Sequence, residues 1–175
     1  FAALGRTDIL VLSCGYLLFL VVGFFLSNNL TLMQQPESWN AYFETSSGTL
    51  LNGSDVTLWP RYLHFMDGDS AIGGLFVALY GRFIARSKPE IGVLATRVGL
   101  KLFLVLTLIE IAVGFWFLLA LPRELMLLFM GGSGLATASF MVSLLLTLVA
   151  LYAAWKQRVY LATATGALLV VAMVF

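Results

Sequence analysis

The residues best equipped for chemistry fall in one stretch, WPRYLHFMDGDSAIGGL, residues 59–75. It contains the chain's only histidine, His64, with Arg61 before it and Asp67 and Asp69 after it. An imidazole can ligate haem iron. On a helix, Arg61, His64, Gly68, Ala71 and Leu75 share one stripe, because residues three and four apart are neighbours. That order suits a haem laid along the helix. His64 would bind iron, Gly68 and Ala71 would let the flat ring lie close, and Arg61, one turn outward, would neutralise a propionate. Asp67 is placed to orient the imidazole by a hydrogen bond, as the partners of ligating histidines do. The same residues also have plainer readings. Small residues are standard packing surfaces between membrane helices. A single histidine near an interface is often only hydrogen-bonded there, and shallow aspartates can simply be wetted.

A second candidate is Glu110, in the middle of the apolar run LFLVLTLIEIAVGFWFLL. An acidic side chain within a span costs on the order of 3 kcal/mol on insertion scales. Asp67 and Asp69 are therefore expected to face a cavity, a partner charge or a proton path, and Glu110 is a candidate proton carrier, haem ligand or contact to a polar group on a partner subunit. The alternative for Glu110 is a neutral carboxyl hydrogen-bonded inside a bundle. A second axial haem ligand cannot be a second histidine of this chain. Thioether sulfur is an alternative, and Met126 and Met130 lie on the same side as His64, although both also read as apolar filler; another chain is a further source. The one cysteine, Cys14, excludes an intrachain disulfide, a CxxCH haem attachment and a cysteine-rich metal site. No P-loop, GxGxxG or HExxH pattern is present, and no Ser/His/Asp arrangement can be assembled around His64. NLT (29–31) and NGS (52–54) match the glycosylation sequon, a short pattern that also arises by chance.

Composition dictates what must position these residues. The chain is 61% hydrophobic and 11% charged, against roughly a quarter charged in a soluble domain. Lipid is the solvent this implies. The net charge of +1 gives no basic field for nucleic acid. Apolar runs long enough to cross a bilayer, about 20 residues each, fall at about 9–26, 61–81, 98–121, 135–154 and 159–175. The expected fold is an all-α integral membrane bundle of about five transmembrane helices forming a single domain. The first run is too long for the apolar region of a cleaved signal peptide, and no small-residue cleavage site follows it. A start at Phe1 and a stop inside an apolar stretch are expected to be other than the natural ends.

Basic residues set the orientation. Arg6, Arg82, Arg86, Lys88, Arg97, Lys101, Lys156 and Arg158 fall on one side, and only Arg61 and Arg123 on the other. The N-terminus is therefore expected inside, with 27–60 and 122–134 outside. Trp59 and Tyr62 mark the outer interface, and Tyr80, Tyr152, Trp155 and Tyr160 the inner one. The outer loop 27–60 is long for a simple connection. Within it PESWNAYF (36–43) can form a short interfacial helix, and SSGTLLNGSD reads as turns. LPRELMLLFMGGSG reads as one or two apolar turns ended by Gly131 and Gly132. No internal repeat is present.

LMQQP (32–36), a glycine-bearing outer stretch and then WPRYLHFM together resemble a segment of cytochrome bd oxidase subunit I and its relatives. In those chains a Met-Gln-x-Pro element follows one span, and a haem-ligating histidine opens a later one. The resemblance covers roughly residues 28–80 and implies the haem b ligand role for His64. With about five spans and one histidine, the chain has fewer of both than that subunit. What it implies is a smaller haem-bearing or haem-sharing subunit of a quinol-linked respiratory complex. Such a subunit would lie in a bacterial inner membrane, beside other membrane subunits, and exchange electrons with quinol or an external cytochrome. Two other classes fit the residues: a cofactor-free structural subunit, and a proton or solute pathway through Asp67, Asp69 and Glu110.

Overall fold

The computed structural model describes residues 5–44, 47 and 50–174, without the side chains of Tyr42, Met173 and Val174. Among these residues the chain is predominantly helical and contains no strand. α1 covers Arg6–Met33, and a 3-10 turn at Pro36–Ser38 leads into α2, Trp39–Glu44. α3 covers Leu58–Ile84, α4 Pro89–Ala120 and α5 Arg123–Leu127, which runs into a π turn at Leu128–Gly132. α6 covers Gly134–Trp155 and α7 Val159–Val174. The expected turns at SSGTLLNGSD fall partly on residues outside the description (46, 48 and 49), as does Phe175.

Three helices, α1, α4 and α6, are long and apolar enough to cross a membrane. At about 1.5 Å per residue, the 22 residues of α6 alone match a hydrocarbon core of about 30 Å. α3, with 27 residues, is one shorter than α1, but Asp67, Asp69 and Arg82 interrupt its apolar run. α7 has 16 residues, about 24 Å of helix. Most apolar side chains of the long helices are exposed, among them Leu10, Leu18, Leu108 and Leu145, which is the pattern expected where lipid or another chain covers the surface.

Local sequence explains the helix ends. Pro89 opens α4 at a position where its missing N–H costs nothing. Ser133 caps α6, its hydroxyl accepting from the Ala136 N–H. Gly131, at φ +111°, closes the π turn in a backbone region that L-residues rarely adopt. α1 continues past the expected span end at residue 26 to Met33. Its last two turns, SNNLTLM, are polar, and they stay helical because Asn28 and Thr31 find partners.

The chain divides into two compact units, residues 1–66 and 67–175. In the first unit, Phe24 packs against Trp59 and Tyr62 with ring centroids 5.7 and 5.8 Å apart. The Tyr62 hydroxyl donates to the Leu20 carbonyl at 3.2 Å. Gly23 leaves the space that the Met66 thioether fills. In the second unit the core is built from Ala71, Leu75 and Ala78 of α3, Leu100 and Phe103 of α4, Ala150, Ala153 and Ala154 of α6, and Val159 and Ala162 of α7. Alanine dominates because in lipid close backbone packing replaces the hydrophobic drive that water supplies.

Candidate functional site

In the first unit, a polar cluster ties the end of α1 and the following segment to the start of α3. Asn28, almost fully buried, accepts from the Asn52 backbone N–H at 2.7 Å and donates to the Leu50 carbonyl. The Asn52 carboxamide donates to Thr31 Oγ1 and to Gln35 Oε1, at 3.3 and 3.2 Å. The Gln35 carboxamide donates to Asp55, and Asp55 in turn accepts from the Thr57 N–H just before α3. Arg61 is 6% exposed and its guanidinium donates to Gln34 Oε1 at 2.6 Å. Buried polar groups in such a cluster must be satisfied together, since each one left without a partner costs about 1–3 kcal/mol. The first turn of α3 is thereby fixed, and with it the level of His64, one turn further along and half-buried.

The expected ring seat is occupied in the second unit. A Cβ on Gly68 would meet Glu110 Oε1 of α4 at 3.1 Å. Gly68 thus makes room for a carboxyl group rather than for a flat ring. Ala71 is buried in the common core with α4. The small residues continue along both helices. A Cβ on Gly74 would lie 2.9 Å from the Gly99 carbonyl oxygen and 2.9 Å from the Phe103 nitrogen. One on Gly81 would lie 2.5 Å from the Thr96 nitrogen, and one on Gly92 would overlap Ala85. Thr96 Oγ1 donates to the Ala78 carbonyl at 3.3 Å across this seam. α3 and α4 are therefore an antiparallel hairpin in direct backbone contact.

The hairpin register puts the Glu110 carboxyl at the level of Asp67 and Gly68. Asp67 and Glu110 are both half-buried, whereas Asp69 is exposed. Met126 lies in α5 and is half-buried, and Met130 lies in the π turn, 64% exposed. Both belong to the second unit and His64 to the first. Among the described residues, no three histidine, cysteine or acidic side chains group as a metal site.

No protein-family model, curated protein or solved structure matches this chain.

The polar cluster is the main feature that residue reading did not reveal. Its one sequence signal was the density of Asn, Gln and Thr over 28–35. The two sequons belong to it. Asn29 lies inside helix α1 with Thr31 buried, and the Asn52 carboxamide is engaged by Thr31 and Gln35.

Proposed function

We propose that the chain is a membrane subunit of a respiratory electron-transfer complex. In it His64 would hold the iron of a b-type haem near the outer face, and the complex would take electrons from quinol. One observation supports this reading above others. Arg61 donates to Gln34 across 27 positions of chain, so the two halves of the oxidase-like pattern, LMQQP and WPRYLHFM, meet in one cluster. That cluster fixes the start of α3, one turn from the candidate ligand.

The fit to a haem is confined to the imidazole. His64 suits iron, but Arg61 is engaged by Gln34, and Gly68 and Ala71 are packed against α4. The rest of the haem pocket is therefore assigned to a neighbouring membrane subunit. A haem bound there supplies one-electron exchange. On this chain, the cluster around Asn28 and Arg61 positions the histidine, and Asp67, Asp69 and Glu110 are the candidate groups for proton transfer.

In this reading α3 and α7 join α1, α4 and α6 as spans, making five. The N-terminus faces the cytoplasm of a bacterial cell, because eight of the ten basic residues then lie inside. An external cytochrome is a further electron partner.

The test is a reduced-minus-oxidised spectrum of the complex purified through a tag on this chain. His64→Ala is expected to remove one b-type band while the partner subunits stay assembled. An unchanged ratio of haem to chain in the assembled variant contradicts the proposal. It favours a cofactor-free accessory subunit, the reading to which the closed Gly68 and Ala71 face already points.

A further inference from the structure

The strongest concentration of charge in the second unit has no part in the proposed electron transfer. Arg82 of α3, Arg97 of α4 and Arg158 at the α6–α7 turn line one open groove of about 540 Å³. Its lining contains no carboxylate. Thr96, Gln157 and Tyr160 add uncharged hydrogen-bonding groups, and Val93 and Leu161 give the groove an apolar wall. A second open groove shares Arg82 and Tyr160 and adds Arg86, Phe76 and Phe83. Cationic heads thus stand beside exposed aromatic and aliphatic faces.

The turn that supplies Arg158 and Gln157 is built at a cost. The Arg158 N–H donates to the Ala153 carbonyl and the Gln157 N–H to the Ala154 carbonyl, the two bonds of a helix end that normally has glycine at its left-handed position. Here that residue is Gln157, at φ +57°. A left-handed conformation is unfavourable for a residue with a side chain, and a strained residue that lines a groove points to function. Gln157 lines the groove, and a glycine in its place would bring no carboxamide. Immediately after it begins α7, whose N-terminal end carries the partial positive charge of the helix.

We propose that this groove binds the headgroup of an anionic phospholipid, its phosphate diester held by Arg82, Arg97 and Arg158 and by the Gln157 carboxamide, with the acyl chains on the adjoining apolar wall. Guanidinium groups match phosphate oxygens in geometry and charge, and the basic side of a membrane protein faces the anionic leaflet. The inference rests on the chain's being a membrane protein with this end at the cytoplasmic face. It does not depend on a haem at His64.

The experiment measures lipid retained by the purified, tagged complex in mild detergent, by native mass spectrometry. The complex is titrated with phosphatidylglycerol or with phosphatidylcholine, with and without inorganic phosphate. Phosphatidylglycerol is expected to be retained in preference to phosphatidylcholine. Each Arg→Gln change at 82, 97 or 158 is expected to lower that preference by roughly fivefold, the factor carried by one basic side chain at an anionic surface. Gln157→Gly should raise thermal stability by relieving the turn and lower phosphatidylglycerol retention several-fold, a pair of opposite changes that misfolding would not give. Equal retention of the two lipids by the native complex overturns the proposal. So does an unchanged preference in a stably folded triple arginine variant, or full displacement by inorganic phosphate, which would identify a soluble phosphate compound as the ligand. A change in haem spectrum with unaltered lipid preference bears on His64 alone.

Discussion

Replacing Gly99 by alanine should separate α3 from α4, and the same change at Gly73 should not. A Cβ at Gly99 would lie 2.5 Å from the Ala78 nitrogen and 2.5 Å from the Gly74 carbonyl oxygen, where ordinary contact begins at 3.4 Å. Both obstacles are backbone atoms of the facing helix, so no side-chain rotation relieves them. Inserting one carbon into a closed seam costs about 1–3 kcal/mol. The higher helix propensity of alanine returns about 1 kcal/mol, which leaves a net loss of up to about 2 kcal/mol. Gly73, on the same helix as Gly74, has nothing within 4 Å of its added carbon. There alanine carries only the propensity gain. Unfolding of each variant in mixed micelles, followed by circular dichroism against the fraction of denaturing detergent, gives both values. Equal shifts of the same sign would refute the assignment of the glycine face to the α3–α4 seam.

Three further outcomes follow from single contacts. Gln34→Leu removes one acceptor of the Arg61 guanidinium, which is almost fully buried, and should cost about 1.5–3 kcal/mol, the scale of a hydrogen bond to a charged group; the same unfolding assay reads it. Gly131→Ala places a side chain at φ +111° and should destabilise by about 1–3 kcal/mol, whereas Gly134→Ala, with open space around it, should be near neutral. Expression in a glycosylating host should leave Asn29 unmodified, because it lies inside α1 beside buried Thr31; an upward mobility shift abolished by Asn29→Gln would contradict that helix.

How much was legible in the sequence differs from element to element. The apolar runs announced α1, α4 and α6 directly, since hydropathy and length are local properties. The α5 turn and its glycine stop were legible for the same reason. The end of α1 was not. SNNLTLM reads as loop by composition, and it is helical because Asn28, Thr31 and Gln35 meet Asn52 and Asp55 far along the chain. Arg61 was read as a partner for a ligand, and it donates to Gln34, again set by tertiary approach. The stripe at Gly68 and Ala71 shows the limit most clearly. Small residues at helical spacing announce that something lies close to the backbone, but not whether it is a ring or a second helix. At Gly68 it is Glu110 of α4 that lies there. Gln157 carried no signal at all, because the usual marker of its turn is glycine.

The central claim is that His64 ligates iron, and chemical rescue tests it most directly. The complex is isolated with His64→Gly, which removes the imidazole, and its reduced b-type band is recorded before and after imidazole is added. The expected result is a band that is lost in the variant and returns with imidazole, with the partner subunits present throughout. A band of native intensity in the variant before any imidazole is added would contradict ligation by His64.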